Sequence, residues 1–158
     1  MPDGVVGIVA RRQTEIGDPL NGGSCRTVEA DDERNSATYR LPAAEGDGYT
    51  LLGAPTVLAD LSIRGRYPEI AARLWDVAPD GTQTLIAQDL YRPRNYHHRD
   101  VFHLHPNAWH FHAGHVAKLE LLGQSAPYGR ASNGSFTITV NHLELRLPVR
   151  EAPDGGVV

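Results

Sequence analysis

The chain is poor in cysteine, in lysine and in long apolar runs, and each shortage excludes something. Cys25 is the single cysteine in 158 residues, so neither an intrachain disulfide nor a cysteine-rich zinc site can form. Lys118 is the only lysine, and the formal net charge is −4. Without a clustered basic surface to neutralise phosphates, no nucleic-acid partner is expected. No apolar run approaches the roughly 18 residues that span a bilayer. The opening MPDGVVGIVARR also lacks the basic start and apolar stretch of a signal peptide. A cytoplasmic chain with no membrane partner is therefore expected. The marks of common enzymes are missing too: there is no Gly-x-Ser-x-Gly elbow, no phosphate-binding glycine loop and no dinucleotide fingerprint.

What is present is turns and short alternating runs. Sixteen glycines and eleven prolines favour many turns over long helices. Residues 1–48 read as a linker or wrapping segment, with one short strand at Val5–Ala10, because GDPLNGGS (17–24) and EADDERNS (29–36) sustain no apolar period. From Tyr49 the pattern turns to strands, near 56–64, 69–78, 82–91, 100–105, 115–122 and 136–148. In TVLADLSIRG, Val57, Ala59, Leu61 and Ile63 share a face. EIAARLWDVA and TQTLIAQDLY joined by Pro79-Asp80-Gly81 read as a hairpin, since proline presets the first turn angle and glycine tolerates positive φ. HVAKLELLG alternates Ala117, Leu119 and Leu121 against Lys118 and Glu120. In FTITVNHLELRLPV the apolar parity switches, from Phe136, Ile138 and Val140 to Leu143, Leu145, Leu147 and Val149. A core face cannot switch within a strand without an extra residue, so a β-bulge is predicted near Asn141-His142. Leu61, Leu74, Leu119, Leu121, Ile138 and Leu145 are the expected core. Short strands with spaced turns point to an all-β antiparallel sandwich over 49–151, followed by a flexible tail at 152–158.

Seven of the eight histidines fall within YHHRDVFHLHPNAWHFHAGH (96–115). His103 and His105 share one strand face, as do His110 and His112. If the chain doubles back at Pro106-Asn107, these four become candidate metal ligands. Against that, only Asp100 in the stretch could support them as an acceptor, and alternation alone places each pair toward solvent with Phe102, Leu104, Trp109 and Phe111 inward. No metal and no cofactor is expected. His115, at a strand entrance beside Gly114, reads as a residue that hydrogen-bonds and pins a facing loop. Asp76 and Asp80 offer too few oxygens for calcium, and turn chemistry accounts for both.

ARLWDVAPDG (72–81), LYRP (90–93), FHLHPNAWHFHAGHVAKLELLG (102–123), APYGRASNGSF (126–136) and LELRLPVRE (143–151) keep their order along the chain. Together they resemble the C-terminal non-catalytic domain of the X-prolyl dipeptidyl peptidase and cocaine esterase family of serine hydrolases. TYRLPAA (38–44) and YTLLGAPTV (49–57) resemble the segment leading into that domain. The resemblance implies a galactose-binding-like jelly roll that follows an α/β-hydrolase domain carrying the catalytic triad, its partner in cis. It implies structural roles for Trp75, Asp76, Asp80, Gly81, Pro106, Trp109, Phe111, Gly114 and His115, and no catalytic residue in this chain. A freestanding carbohydrate-binding module of the same fold, with Tyr91, Tyr96 and Tyr128 as sugar platforms, and a His-rich metal-binding β protein are the alternatives. A surface normally covered by a catalytic domain also leads to the expectation of a homodimer.

Overall fold

The computed structural model describes residues 27–30, 32, 36–94, 97–125 and 128–151. The strand expected at Val5–Ala10, Cys25, Tyr96 and the 152–158 tail lie outside them. Among the described residues ten strands follow in order: β1 (Thr27–Glu29), β2 (Ala37–Arg40), β3 (Tyr49–Gly53), β4 (Thr56–Gly65), β5 (Ile70–Val77), β6 (Thr82–Tyr91), β7 (His97–His103), β8 (Asn107–Phe111), β9 (Val116–Leu122) and β10 (Phe136–Arg146). They form a five-stranded sheet, β1-β6-β5-β9-β2, a three-stranded sheet, β10-β4-β7, and a two-stranded ribbon, β3-β8. Every ladder is antiparallel. No helix among the described residues is long and apolar enough to cross a membrane. The fold is the all-β sandwich predicted from the alternation.

The six side chains expected in the core are all buried, and one cluster joins the sheets. Ile70, Ala72, Leu74, Leu119 and Leu121 come from the five-stranded sheet, Val57, Leu61, Phe102, Ile138 and Val140 from the three-stranded one, and Leu51 and Phe111 from the ribbon. The parity switch in β10 is resolved as predicted. Its register against β4 slips between Asn141 and Glu144, where His142 adopts φ 46°. The extra residue lets Val140 and Leu145 both face inward. The β5–β6 hairpin closes through Pro79, Asp80 and Gly81, with Gly81 at φ 86°.

Two expectations need correction. Residues 37–48 are part of the sandwich rather than a linker, because β2 pairs with β9 along its whole length. Leu41 and Ala44 also join the core cluster. A four-residue edge strand is too short to leave a period in the sequence. Lys118 and Glu120, polar by alternation, do not face water either, since Lys118 is 0% exposed, Glu120 2% and their neighbour Arg73 1%. On this second face of β5 and β9, Glu120 accepts from Trp75 Nε1 at 2.9 Å and lies 3.4 Å from Lys118 Nζ. Arg73 Nη2 donates to Ser125 Oγ at 2.8 Å. Both faces of β5 and β9 are buried here, so these charges find partners within the protein.

Candidate functional site

Asp76 follows Leu74 by two residues and therefore faces the same side of β5, into the sandwich. The side chain is buried, and its carboxylate gathers two donors from other strands. Trp109 Nε1, on β8, donates to Oδ2 at 2.9 Å. His115 Nδ1, at the entrance of β9, lies 2.9 Å from Oδ1 and 3.0 Å from Oδ2. A carboxylate accepts through both oxygens, so the pairing makes Nδ1 of His115 the protonated nitrogen. The knot ties the β3–β8 ribbon to the end of the five-stranded sheet. Turn chemistry thus accounts for Asp80 alone. Asp80 Oδ1 accepts from Thr82 N at 2.9 Å and Thr82 Oγ1 at 2.7 Å, and the hydroxyl bond holds its carboxyl below the usual range.

The backbone around His115 completes the knot. Ala44 N donates to His115 O and Gly114 N to Ala44 O, each at 2.8 Å, which fixes the 41–48 loop. The backbone of His115, not the side chain expected to do so, holds the facing loop, while its imidazole serves Asp76. Gly114 sits at φ 82°, and a Cβ there would lie 3.2 Å from Pro79 Cγ, so the turn before β9 nests against the hairpin turn. Phe111 is fully buried and stacks on Tyr49, ring centroids 4.8 Å apart. Burial of the Tyr49 hydroxyl, with the Asp76 charge nearby, raises its pKa. Pro106 lies exposed in the turn between β7 and β8, and Trp75 lies buried on the other face of β5.

The four candidate metal ligands are not brought together. His103 Nδ1 pairs with Thr56 Oγ1 at 2.9 Å, and His105 packs edge-on to Tyr128 at 6.2 Å. His110 pairs with Thr50 Oγ1 at 3.0 Å and reaches the Asp47 carbonyl. His112 stands edge-on between His110 and His115, at 4.7 and 5.5 Å. Among the described residues, no group of three or more histidine, cysteine or acidic side chains could hold a metal ion. Among the described residues, no serine or threonine hydroxyl bonds the His115 imidazole. Of the sugar platforms, Tyr91 is stacked on Phe102 at 4.5 Å and its hydroxyl donates to Asp100, so its ring is not free for a ligand. Sequence reasoning missed the inward-facing Asp76, although its shared parity with Ala72 and Leu74 carried the signal. It also missed Tyr49 as the partner of Phe111.

The fold is a β-sandwich, and this knot of carboxylate, indole and imidazole joins β5, β8 and the entrance of β9. Solved structures place that fold within larger hydrolases. An α-amino acid ester hydrolase matches with a TM-score of 0.60 and 18% identity, over 73% of this chain and 25% of that one. An aminopeptidase from a marine sediment Thaumarchaeota archaeon matches at 0.59 and 13%, over 73% and 26%. A CocE/NonD family hydrolase from Staphylococcus aureus matches at 0.55 and 8%, over 92% and 34%. The chain thus spans a quarter to a third of the hydrolases it resembles, and at these identities the likeness is one of fold. No protein-family model and no curated protein matches it.

Proposed function

We propose that this chain is a non-catalytic accessory domain of an α/β-hydrolase, of the X-prolyl dipeptidyl peptidase or acyl esterase type. In this reading it packs on the catalytic domain in cis and helps shape that domain's active site. The observation that carries the reading is the asymmetry of coverage: most of this chain matches a minor part of each hydrolase. Its domain extent is 49–151 together with the edge strand β2, while Trp75, Asp76, Trp109, Phe111, Gly114 and His115 serve as scaffold. In this reading the chain performs no hydrolysis itself, and the Asp76–His115 pair is part of the scaffold.

Two measurements test it. The coding sequence upstream of Met1 should hold an α/β-hydrolase frame, and its absence would count against the partner in cis. The isolated chain should show no turnover of amino-acid esters or X-prolyl anilides, and turnover abolished by His115→Ala would overturn the reading. Self-association through the surface that a catalytic domain would cover is the companion expectation. Sedimentation at rising concentration reads it, and a strict monomer counts against it.

A further inference from the structure

At the start of β5, far from the Asp76 knot, three segments enclose a cleft of about 400 Å³. They are the turn after β4, the residues after β6 and the loop before β10. The residues that matter are Tyr67, Glu69, Arg92, Arg94, Arg130 and Asn133. The volume is in the range of small-molecule sites.

Glu69 is 2% exposed. Its Oε2 accepts from Arg92 Nε at 3.2 Å and Nη2 at 3.1 Å. Glu69 lines the cleft, and its Oε1 is buried with no hydrogen-bond partner among the described residues. Buried carboxylate oxygens are normally satisfied, so this acceptor calls for an O–H or N–H donor. Arg94 and Arg130 are exposed and form no ion pair with any described residue. Two unpaired guanidinium groups in a chain of net charge −4 mark a local preference for an anion, and a carboxylate suits their planar fork.

Tyr67 supplies a third element. It is 66% exposed and held at φ 56°, a left-handed conformation that bulky residues avoid. The opposite loop holds it there. Ser132 Oγ donates to Tyr67 O at 2.6 Å, and Gly134 N donates to the same Oγ at 3.1 Å. A Cβ on Gly134 would come within 3.0 Å of Tyr67 Cδ2 and 2.6 Å of the Arg66 carbonyl. A strained aromatic kept in the open beside a buried unsatisfied acceptor follows the pattern of a binding site rather than of a core.

These three demands select a ligand class. A neutral sugar leaves the guanidinium groups unused, and a bare inorganic anion meets Glu69 with like charge. We propose that the cleft binds a small hydroxylated carboxylate of the uronic-acid type. The carboxylate pairs with Arg94 and Arg130, a hydroxyl donates to Glu69 Oε1, and the ring lies against Tyr67. The proposal is independent of whether the chain accompanies a hydrolase.

Calorimetric titration of the full chain with galacturonate, galactose and glycine tests it. Galacturonate should bind saturably, and galactose roughly tenfold or more weaker, the difference expected from losing charge-assisted hydrogen bonds. Replacing Arg94 and Arg130 together by alanine should abolish galacturonate binding, and both sites are exposed, so folding is not at risk. Tyr67→Gly relieves the left-handed strain, so it should hold or raise the melting temperature while weakening binding. The proposal is overturned if galacturonate does not saturate, if galactose binds equally well, if glycine binds instead, or if the arginine variant binds unchanged.

Discussion

A buried carboxylate stands near each end of strand β5, Glu69 just before it and Asp76 within it, and the two are treated differently. At the finish, Asp76 spends both oxygens on Trp109 and His115, donors the fold itself provides. At the start, Glu69 spends one oxygen on Arg92, whose side chain is 75% exposed, and its other oxygen has no donor among the described residues. Burial alone does not separate the two. What separates them is whether the chain completes its own hydrogen bonds: a satisfied polar group holds strands together, and an unsatisfied one points outward to chemistry the chain lacks.

The comparison predicts unequal sensitivity. Asp76→Ala should be the most damaging change, because it strands the Trp109 and His115 donors at a cost of about 1–3 kcal/mol each. Asp76→Asn keeps one acceptor oxygen and should recover part of that loss in urea unfolding. Equal loss in both variants would mean that charge, not acceptor count, holds the knot. Gly114→Ala should cost about 1–2 kcal/mol by forcing a side chain into the left-handed region against Pro79. At the other end, Glu69→Gln should change stability by less than about 1 kcal/mol, since it breaks only a pair with an exposed arginine. A larger loss would make Glu69 a structural anchor like Asp76.

The smallest effect is acid sensitivity near the knot. Glu151 accepts from the Thr50 backbone N–H at 2.7 Å, and this bond holds its carboxyl at about 2 instead of the usual 4.5. A depressed folded-state pKa contributes stability that is present above 4.5 and is lost as pH falls toward about 2. Comparing Glu151→Gln with the unaltered chain across that window should show a shallower acid loss in the variant. Parallel curves would remove Glu151 from the account.

Much of this was legible in the sequence, and the limit is physical. The Val140-to-Leu143 parity switch located the bulge, because a strand that keeps its core face must absorb the slip somewhere. Pro-Asp-Gly marked the hairpin because its turn chemistry is local. Strands β2, β3 and β8 span five residues or fewer and owe their place to partners far along the chain, so no window of sequence held them. The two carboxylates divide in the same way. Asp76 was within reach through parity with Leu74. The cleft around Glu69 draws Tyr67, Arg94 and Arg130 from three separate loops, and nothing local connects them.

The strand order also sets a sequence of events in time. Among the described ladders, only β5–β6 joins neighbours in the chain, closed by the few residues from Ala78 to Gly81. Every other ladder, β2 with β9 or β4 with β10, must wait for a long loop to close and pay its entropy first. Folding should therefore begin at this hairpin and proceed on the milliseconds-to-seconds scale of non-local β topologies. Pulse-labelled hydrogen exchange should find the Leu74 and Leu85 amides protected before those of β2 and β10. Early protection of β10 would place the nucleus elsewhere. The strand that joins the scaffold end to the open end would then also be the first part of the molecule to exist.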